Sequence, residues 1–334
     1  MNMSKFKVVI TDYEFSTSTL EEELLATVGA ELIRAQCRTE EEVIEVAKEA
    51  DGLLNQYAPI TRKVLESLPN LKVVSRFGVG VNTIDIEAAT KNGILVGNVT
   101  DYCMDEVSDH AFSLIMACAR KTVRLNNEVK AGKWDYKASI PIYRLRGLTL
   151  GLVGFGRIAQ TLVKKAQAFG FKVIAYDPFV EVEVAKDLDV RLVELNELCK
   201  MSDFISVHAP LLETTRGMIS EEQFCLMKKN SYIINTSRGA VIDEKALIYA
   251  LEAGEIAGAG IDVTQEEPIQ KNNRLLKMDN VIISPHVSWY SEEAEIELKR
   301  KATQNVADVL AGYYPTYLVN KEVKEKIRLK EKNS

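Results

Sequence analysis

The sequence predicts an α/β fold built on two doubly wound parallel sheets, and three observations carry that expectation. Short apolar runs alternate with amphipathic stretches through about the first hundred residues, the pattern of a parallel sheet with helical crossovers. The same alternation resumes at Leu148 and runs to Ser284. A last helical stretch, Ser291 to Ala311, follows the second set of strands, so the chain is expected to return to its first domain. The expected boundaries are 1–103, 104–288 and 289–334, with the middle segment a domain inserted in a discontinuous one. A ligand site is then expected in the cleft between the two.

The elements follow from local signals. Lys7 to Thr11 reads as a strand, and Thr19 to Val28 as a helix with Ser18 or Thr19 as N-cap and Gly29 past its end. Glu31 to Ala35 is a second strand. Thr39 opens an acidic helix through Ala50, with Glu42 in the capping-box position. Gly52 to Leu54, Leu71 to Ser75 and Ile94 to Gly97 are further strands. Met104 to Ala131 reads as one long helical stretch. Its segment Ala111 to Ala119 is apolar nearly all round and is expected to be buried, either at a dimer interface or lining the interdomain core. Further strands are expected at Phe204 to His208, Tyr232 to Asn235, Ala257 to Val263 and Val281 to Ser284.

Bulk properties narrow the classes. The chain has 334 residues and a net charge of −6, which argues against a nucleic-acid or anionic-membrane binder. No apolar run approaches the roughly 18 residues that suggest a membrane span. There is no signal-peptide pattern. The five cysteines form no Cys-x-x-Cys pair, so no zinc site is expected and they read as reduced, small, buried hydrophobes in a cytoplasmic protein. Lys321 to Lys332 mixes lysines with Glu322, Glu325 and Glu331, and reads as a solvated tail or frayed helix.

The most informative run is Gly151-Leu152-Val153-Gly154-Phe155-Gly156-Arg157-Ile158-Ala159. It leaves an apolar strand and enters a helix, and Asp177 ends the next strand, Lys172 to Asp177. That is the dinucleotide fingerprint of a Rossmann domain. Gly154 permits the tight turn, Gly156 lets backbone N–H groups approach a pyrophosphate, and Ala159 lets the helix pack on the strand. The helix N-terminus adds donors and positive dipole. Asp177 can accept from both ribose hydroxyls, and Pro178, Phe179 and Val180 offer no cation for a 2′-phosphate, so the expected cofactor is NAD.

Three strand ends carry reactive side chains: Arg238 in Asn235-Thr236-Ser237-Arg238-Gly239, Glu267 in Asp262 to Pro268, and His286 in Ser284-Pro285-His286. An arginine can bind a carboxylate bidentately beside a polarised carbonyl. A histidine can exchange a proton with the carbonyl oxygen, and a neighbouring carboxylate favours its imidazolium. The set suits reduction of a 2-keto acid. By spacing alone, His286 could equally be structural, Arg238-Gly239 a turn and Glu267 a loop ion-pair partner.

Together with the fingerprint, Phe204 to Leu211, Met227 to Gly239, Asp262 to Pro268, Ser284 to His286 and Arg76 to Asp85 resemble the D-isomer-specific 2-hydroxyacid dehydrogenase family over nearly the whole chain. The resemblance implies a Rossmann domain inserted in a flavodoxin-like substrate domain, and a homodimer. It implies Arg238 as substrate-binding arginine, Glu267 as the acid supporting histidine, and His286 as acid/base. It implies Arg157 and Ile158 at the pyrophosphate, Thr236, Arg238 and Asp262 on the nicotinamide side with His286, and Val79 and Gly80 facing substrate. His208 and Pro210 fall near the cofactor, and His110 reads as a hydrogen-bonded core or interface histidine. His286 to Glu292 and Asp105 to Asp109 look like the branch containing the C-terminal-binding-protein corepressors, in which Trp289 would border the pocket and Arg76 reach the substrate carboxylate. The pocket is expected to be shaped chiefly by Tyr57, Arg76, Val79 and Trp289. Phosphoglycerate dehydrogenases are the other branch the chain resembles; they carry basic residues in the early substrate loop, whereas Asn55 to Thr61 has no cation before Arg62, so a phosphorylated substrate is disfavoured but not excluded. The principal expectation is an NAD-dependent D-2-hydroxyacid dehydrogenase without metal. The alternative is a dimeric NAD-sensing interaction protein.

Overall fold

The structure is a computed structural model that describes residues 5–332. It contains two compact units. One runs up to Tyr102 and resumes at Ser291; the other is Cys103–Tyr290.

The first unit holds strands β1 (Phe6–Ile10), β2 (Ala30–Arg34), β3 (Gly52–Asn55), β4 (Val73–Arg76) and β5 (Leu95–Gly97). They pair in the order β2-β1-β3-β4-β5, all parallel, the flavodoxin-like order. Val8, Val9, Leu53, Leu54, Val73 and Val74 are buried, as unbroken apolar strands with both faces covered must be. Helices Glu40–Ala47, Arg62–Ser67 and Ile86–Lys91 bring Val43, Ala47, Val64, Leu65, Ala88 and Ala89 into one core with Leu53 and Val74. Helix Glu292–Leu310, capped by Ser291 Oγ accepting from Ala294 N at 2.9 Å, buries Leu298, Ala302 and Val306 in the same unit.

Local signals and structure differ at some ends. Thr39 and Glu42 form the expected capping box, but the helix stops at Ala47 rather than Ala50. Ser18 occupies an N-cap position, yet its hydroxyl donates to Glu22 Oε1 at 2.6 Å instead of capping the backbone. The segment after Lys321 is docked, not frayed. Val323 is fully buried, Tyr314 N donates to Lys330 O at 2.9 Å, and Tyr314 Oη to Ile327 O at 2.6 Å. The few apolar and aromatic groups there find partners only in three dimensions.

The second unit holds β6 (Thr149–Val153), β7 (Lys172–Tyr176), β8 (Arg191–Leu192), β9 (Phe204–Val207), β10 (Tyr232–Asn235), β11 (Gly258–Ile261) and β12 (Val281–Ile283). Their order is β12-β11-β10-β9-β6-β7-β8, all parallel. The chain reverses direction between β6 and β9, where a doubly wound sheet binds its ligand at the strands' carboxyl ends.

The long helical stretch is two helices, Met104–Arg120 and Thr122–Lys130. Lys121 breaks it with φ 54°, its N–H turned back to Ala117 O and Cys118 O. Ala111 to Ala119 is not buried all round. Ala111, Leu114, Ile115, Cys118 and Ala119 form one buried stripe, while Ser113 is exposed. That stripe joins the core of its own unit with Leu150, Leu152 and Ile234. Cys225 is exposed, unlike the four buried cysteines, so it is not a packing residue.

Candidate active site

Gly154 leaves β6 with φ +88°, and a Cβ there would lie 2.7 Å from Ala209 N, so only glycine makes this turn. Gly156 is the N-cap of helix Arg157–Ala168, and nothing lies within 4 Å of where its Cβ would be. The backbone is open to a ligand there. Arg157 and Ile158 form the first helical turn, and Ala159 is fully buried. Asp177 ties the loop to the end of β7. Its Oδ2 accepts from Phe155 N at 2.8 Å and its Oδ1 from Phe179 N at 2.9 Å. Beyond β9, His208 donates its backbone N–H to Val153 O at 2.7 Å, and its Nε2 lies 2.9 Å from Ser206 Oγ. Burial pushes its pKa down to about 4, so the ring is neutral. Pro210 is exposed two residues on. Thr236 Oγ1, just past β10, is buried without a hydrogen-bond partner. An open helix N-terminus, a carboxylate at the second strand end and an orphaned buried hydroxyl fit a dinucleotide.

The reactive side chains stand on three adjacent strand ends. Past β10, Asn235 Oδ1 accepts from Ser237 N at 3.0 Å and its Nδ2 donates to Arg238 O at 3.1 Å, closing the turn that carries Arg238. A Cβ on Gly239 would lie 2.0 Å from Thr264 O, so glycine lets this turn meet the loop after β11. On that loop Glu267 Oε1 accepts from Thr264 N at 3.1 Å, and Oε2 lies 2.7 Å from His286 Nδ1. His286 has φ 54°, a conformation uncommon outside glycine. Its N–H donates to Asp262 O at 2.8 Å, and its carbonyl accepts from Trp289 Nε1 at 3.1 Å.

The electrostatics agree with the geometry. Burial pushes the Glu267 carboxyl up, but the His286 hydrogen bond, the imidazole charge, the Thr264 N–H and the Arg238 charge hold it below the usual carboxylate value. The ionised Glu267 carboxylate accepts a hydrogen bond from His286 Nδ1–H, which leaves Nε2 for proton exchange. Asp262 is different. Its side chain is fully shielded, and it accepts from Ser284 Oγ at 2.6 Å, Val287 N at 3.0 Å and Ser288 N at 2.8 Å. Those bonds outweigh its burial and hold its pKa low. Asp262 organises the His286 loop from beneath. His110, read as core or interface, is partly exposed, and its Nε2 lies 2.8 Å from Ser284 Oγ. The sequence did not join His110 to Ser284, because 174 positions separate them.

In the first unit, Tyr57, Arg76, Val79 and Gly80 lie just past β3 and at or just past the end of β4. Asp12, not singled out by the sequence, accepts from Gln56 N at 3.1 Å and Tyr57 N at 2.5 Å. Arg76 Nε donates to Gln56 O at 3.2 Å, and Asn98 Nδ2 to Val79 O at 2.7 Å. Tyr57 and Val79 are exposed. Among the described residues no His, Cys, Asp or Glu cluster could hold a metal ion, and no helix is long and apolar enough to cross a membrane.

A Rossmann sheet with an acid-paired imidazole and an arginine at neighbouring strand ends defines a nicotinamide-dependent oxidoreductase. Residues 112–288 match the family model described as "D-isomer specific 2-hydroxyacid dehydrogenase, NAD binding domain". The chain is 43% identical to a D-3-phosphoglycerate dehydrogenase of Methanocaldococcus jannaschii, over 94% of this chain and 59% of that protein's length. It is 40% identical to a glyoxylate reductase of Korarchaeum cryptofilum, over 84% of this chain and 86% of that one. A D-lactate dehydrogenase from Aquifex aeolicus, crystallised with NAD and lactic acid, superposes with a TM-score of 0.83 at 28% identity, covering 96% of this chain and 98% of its own. The chain belongs to the D-isomer specific 2-hydroxyacid dehydrogenase family, whose members are NAD(P)-dependent oxidoreductases acting on CH–OH donors.

Proposed function

We propose that the chain reduces a small, unphosphorylated 2-keto acid to its D-2-hydroxy acid with NADH. The observation that carries this is the 2.7 Å bond from His286 Nδ1 to Glu267 Oε2, with the Arg238 charge beside it. NADH, when bound, supplies the hydride. Arg238 binds the substrate carboxylate and polarises the adjacent carbonyl. His286 gives its Nε2 proton to the carbonyl oxygen as that oxygen becomes a hydroxyl, and takes it back in oxidation. Glu267 accepts from Nδ1–H and orients the ring. Tyr57, Arg76, Val79, Gly80 and Trp289 are the proposed specificity residues. The relatives differ on substrate phosphate. Arg62, the first cation after the Asn55–Thr61 loop, lies 3.7 Å from both Asp85 and Glu87, which supports a substrate closer to glyoxylate than to a phosphorylated acid.

Steady-state NADH oxidation with glyoxylate, pyruvate, hydroxypyruvate and phosphohydroxypyruvate tests this reading. His286→Ala is expected to lower kcat by a factor on the order of 10² to 10⁴, with NADH affinity nearly unchanged by calorimetry. Wild-type turnover in that variant rejects the assignment. NADH is expected over NADPH because the Asp177 carboxylate repels a 2′-phosphate. Asp177→Ala should raise relative efficiency with NADPH at least about tenfold, and a wild-type enzyme that prefers NADPH overturns the argument.

We also propose a homodimer in the cytoplasm. Trp134, Tyr136, Ile140 and Tyr143 are exposed within ten residues of one another, and the preceding helix Thr122–Lys130 buries no residue, which supports cover by a second copy. The buried free thiols Cys37, Cys118 and Cys199 suit a reducing compartment. Sedimentation of the intact chain at monomer mass overturns the dimer.

A further inference from the structure

We propose that His110 is a positioning residue for His286, acting through Ser284 and Asp262. The proposal rests on the reading of His286 as the proton-exchanging group. Donor counting sets the direction of the bonds. A serine hydroxyl has one hydrogen, and an ionised carboxylate only accepts. The Ser284 hydroxyl therefore donates to Asp262 Oδ1 at 2.6 Å. Ser284 Oγ is left to accept from His110 Nε2 at 2.8 Å, so the His110 ring carries a proton on Nε2.

Asp262 passes this order on. Its Oδ1 also accepts from Val287 N at 3.0 Å, its Oδ2 from Ser288 N at 2.8 Å, and its backbone oxygen from His286 N at 2.8 Å. Three consecutive amides, beginning with that of His286, are thus held by one residue. His286 needs such a hold, because its φ of 54° persists only where the surroundings over-determine it. The Asp262 side chain is fully shielded, so water does not replace a donor it loses. Without His110, the Ser284 hydroxyl is free to turn, the grip on Val287 and Ser288 loosens, and the imidazole drifts from its line. A displacement on the order of 1 Å costs up to roughly a hundredfold in rate.

Three variants test the chain of bonds. His110→Phe keeps a ring without a donor, Ser284→Ala breaks the next link, and His110→Gln restores a donor near the Nε2 position. His110→Phe and Ser284→Ala are expected to lower kcat by roughly ten- to a hundredfold with little change in the KM for NADH. Amide exchange in the peptide containing Val287 and Ser288 is expected to quicken, while peptides from β6 and β7 keep their protection. His110→Gln should recover most of both. Wild-type kcat, or unchanged exchange at Val287 and Ser288, in His110→Phe overturns the proposal. Ser284→Ala gives the same decision should His110→Phe fail to fold. A loss of turnover in His286→Ala with none in His110→Phe overturns this proposal alone. Wild-type turnover in His286→Ala overturns the reading beneath it as well.

Discussion

Glu267 uses its two oxygens separately, one for the Thr264 N–H and one for the imidazole. That division keeps the histidine in one tautomer and the acid ionised. Its folded pKa is depressed below the ordinary 4.5, so its stabilising contribution is complete above that value and is lost as pH falls through the lower folded one. Glu267→Gln keeps the shape and removes the charge. Turnover at neutral pH is expected to fall at least about tenfold, with the KM for NADH little altered. Wild-type kcat in that variant would end Glu267's proposed role. The residue types at these strand ends were legible in the sequence, but their roles came only from the family resemblance, because spacing alone left each of them equally open to a structural reading. Which oxygen meets which nitrogen was not legible, since Glu267 and His286 are joined through loops whose turns depend on Gly239 meeting Thr264.

At the scale of elements, strand ends and helix caps do different work. The carboxyl end of β9 carries His208 packed so that it stays neutral, its pKa pushed down from 6.5 to about 4. The unfolded chain binds that proton near 6.5 and the folded chain does not, so stability falls as pH drops from 6.5 towards 4, by up to about 3 kcal/mol. His208→Asn is expected to flatten this part of the urea-stability profile. An equally steep fall in the variant would place the acid sensitivity elsewhere. Caps were legible where they are reciprocal, as at Thr39 and Glu42. The break at Lys121 was not, because a lysine in the left-handed region leaves no compositional trace and glycine, the usual marker, is missing.

For the molecule as a whole, the discontinuous unit sets the dependence of one sheet on a distant segment. Helix Glu292–Leu310 supplies Leu298, Ala302 and Val306 to a unit whose strands come from the first hundred or so residues. A chain stopped at Tyr290 is expected to lose hydrogen-exchange protection in β1, β3 and β4, while Cys103–Tyr290 keeps a cooperative transition and binds NADH. Native protection of those strands in the shortened chain would show that the helix is dispensable.

The sequence by itself determined the α/β class, the parallel strands, the glycine turn after β6, the carboxylate at the end of β7, and the family. Each of these is written in short-range patterns: apolar runs, glycine spacing, a carboxylate at a strand end. Only the tertiary structure decided that the last residues dock through Val323 and Tyr314, that the Ala111–Ala119 stripe serves its own unit's core, and that His110 reaches Ser284. Those outcomes depend on which surfaces meet when distant segments pack, and no local period or spacing encodes a contact between residues 174 positions apart.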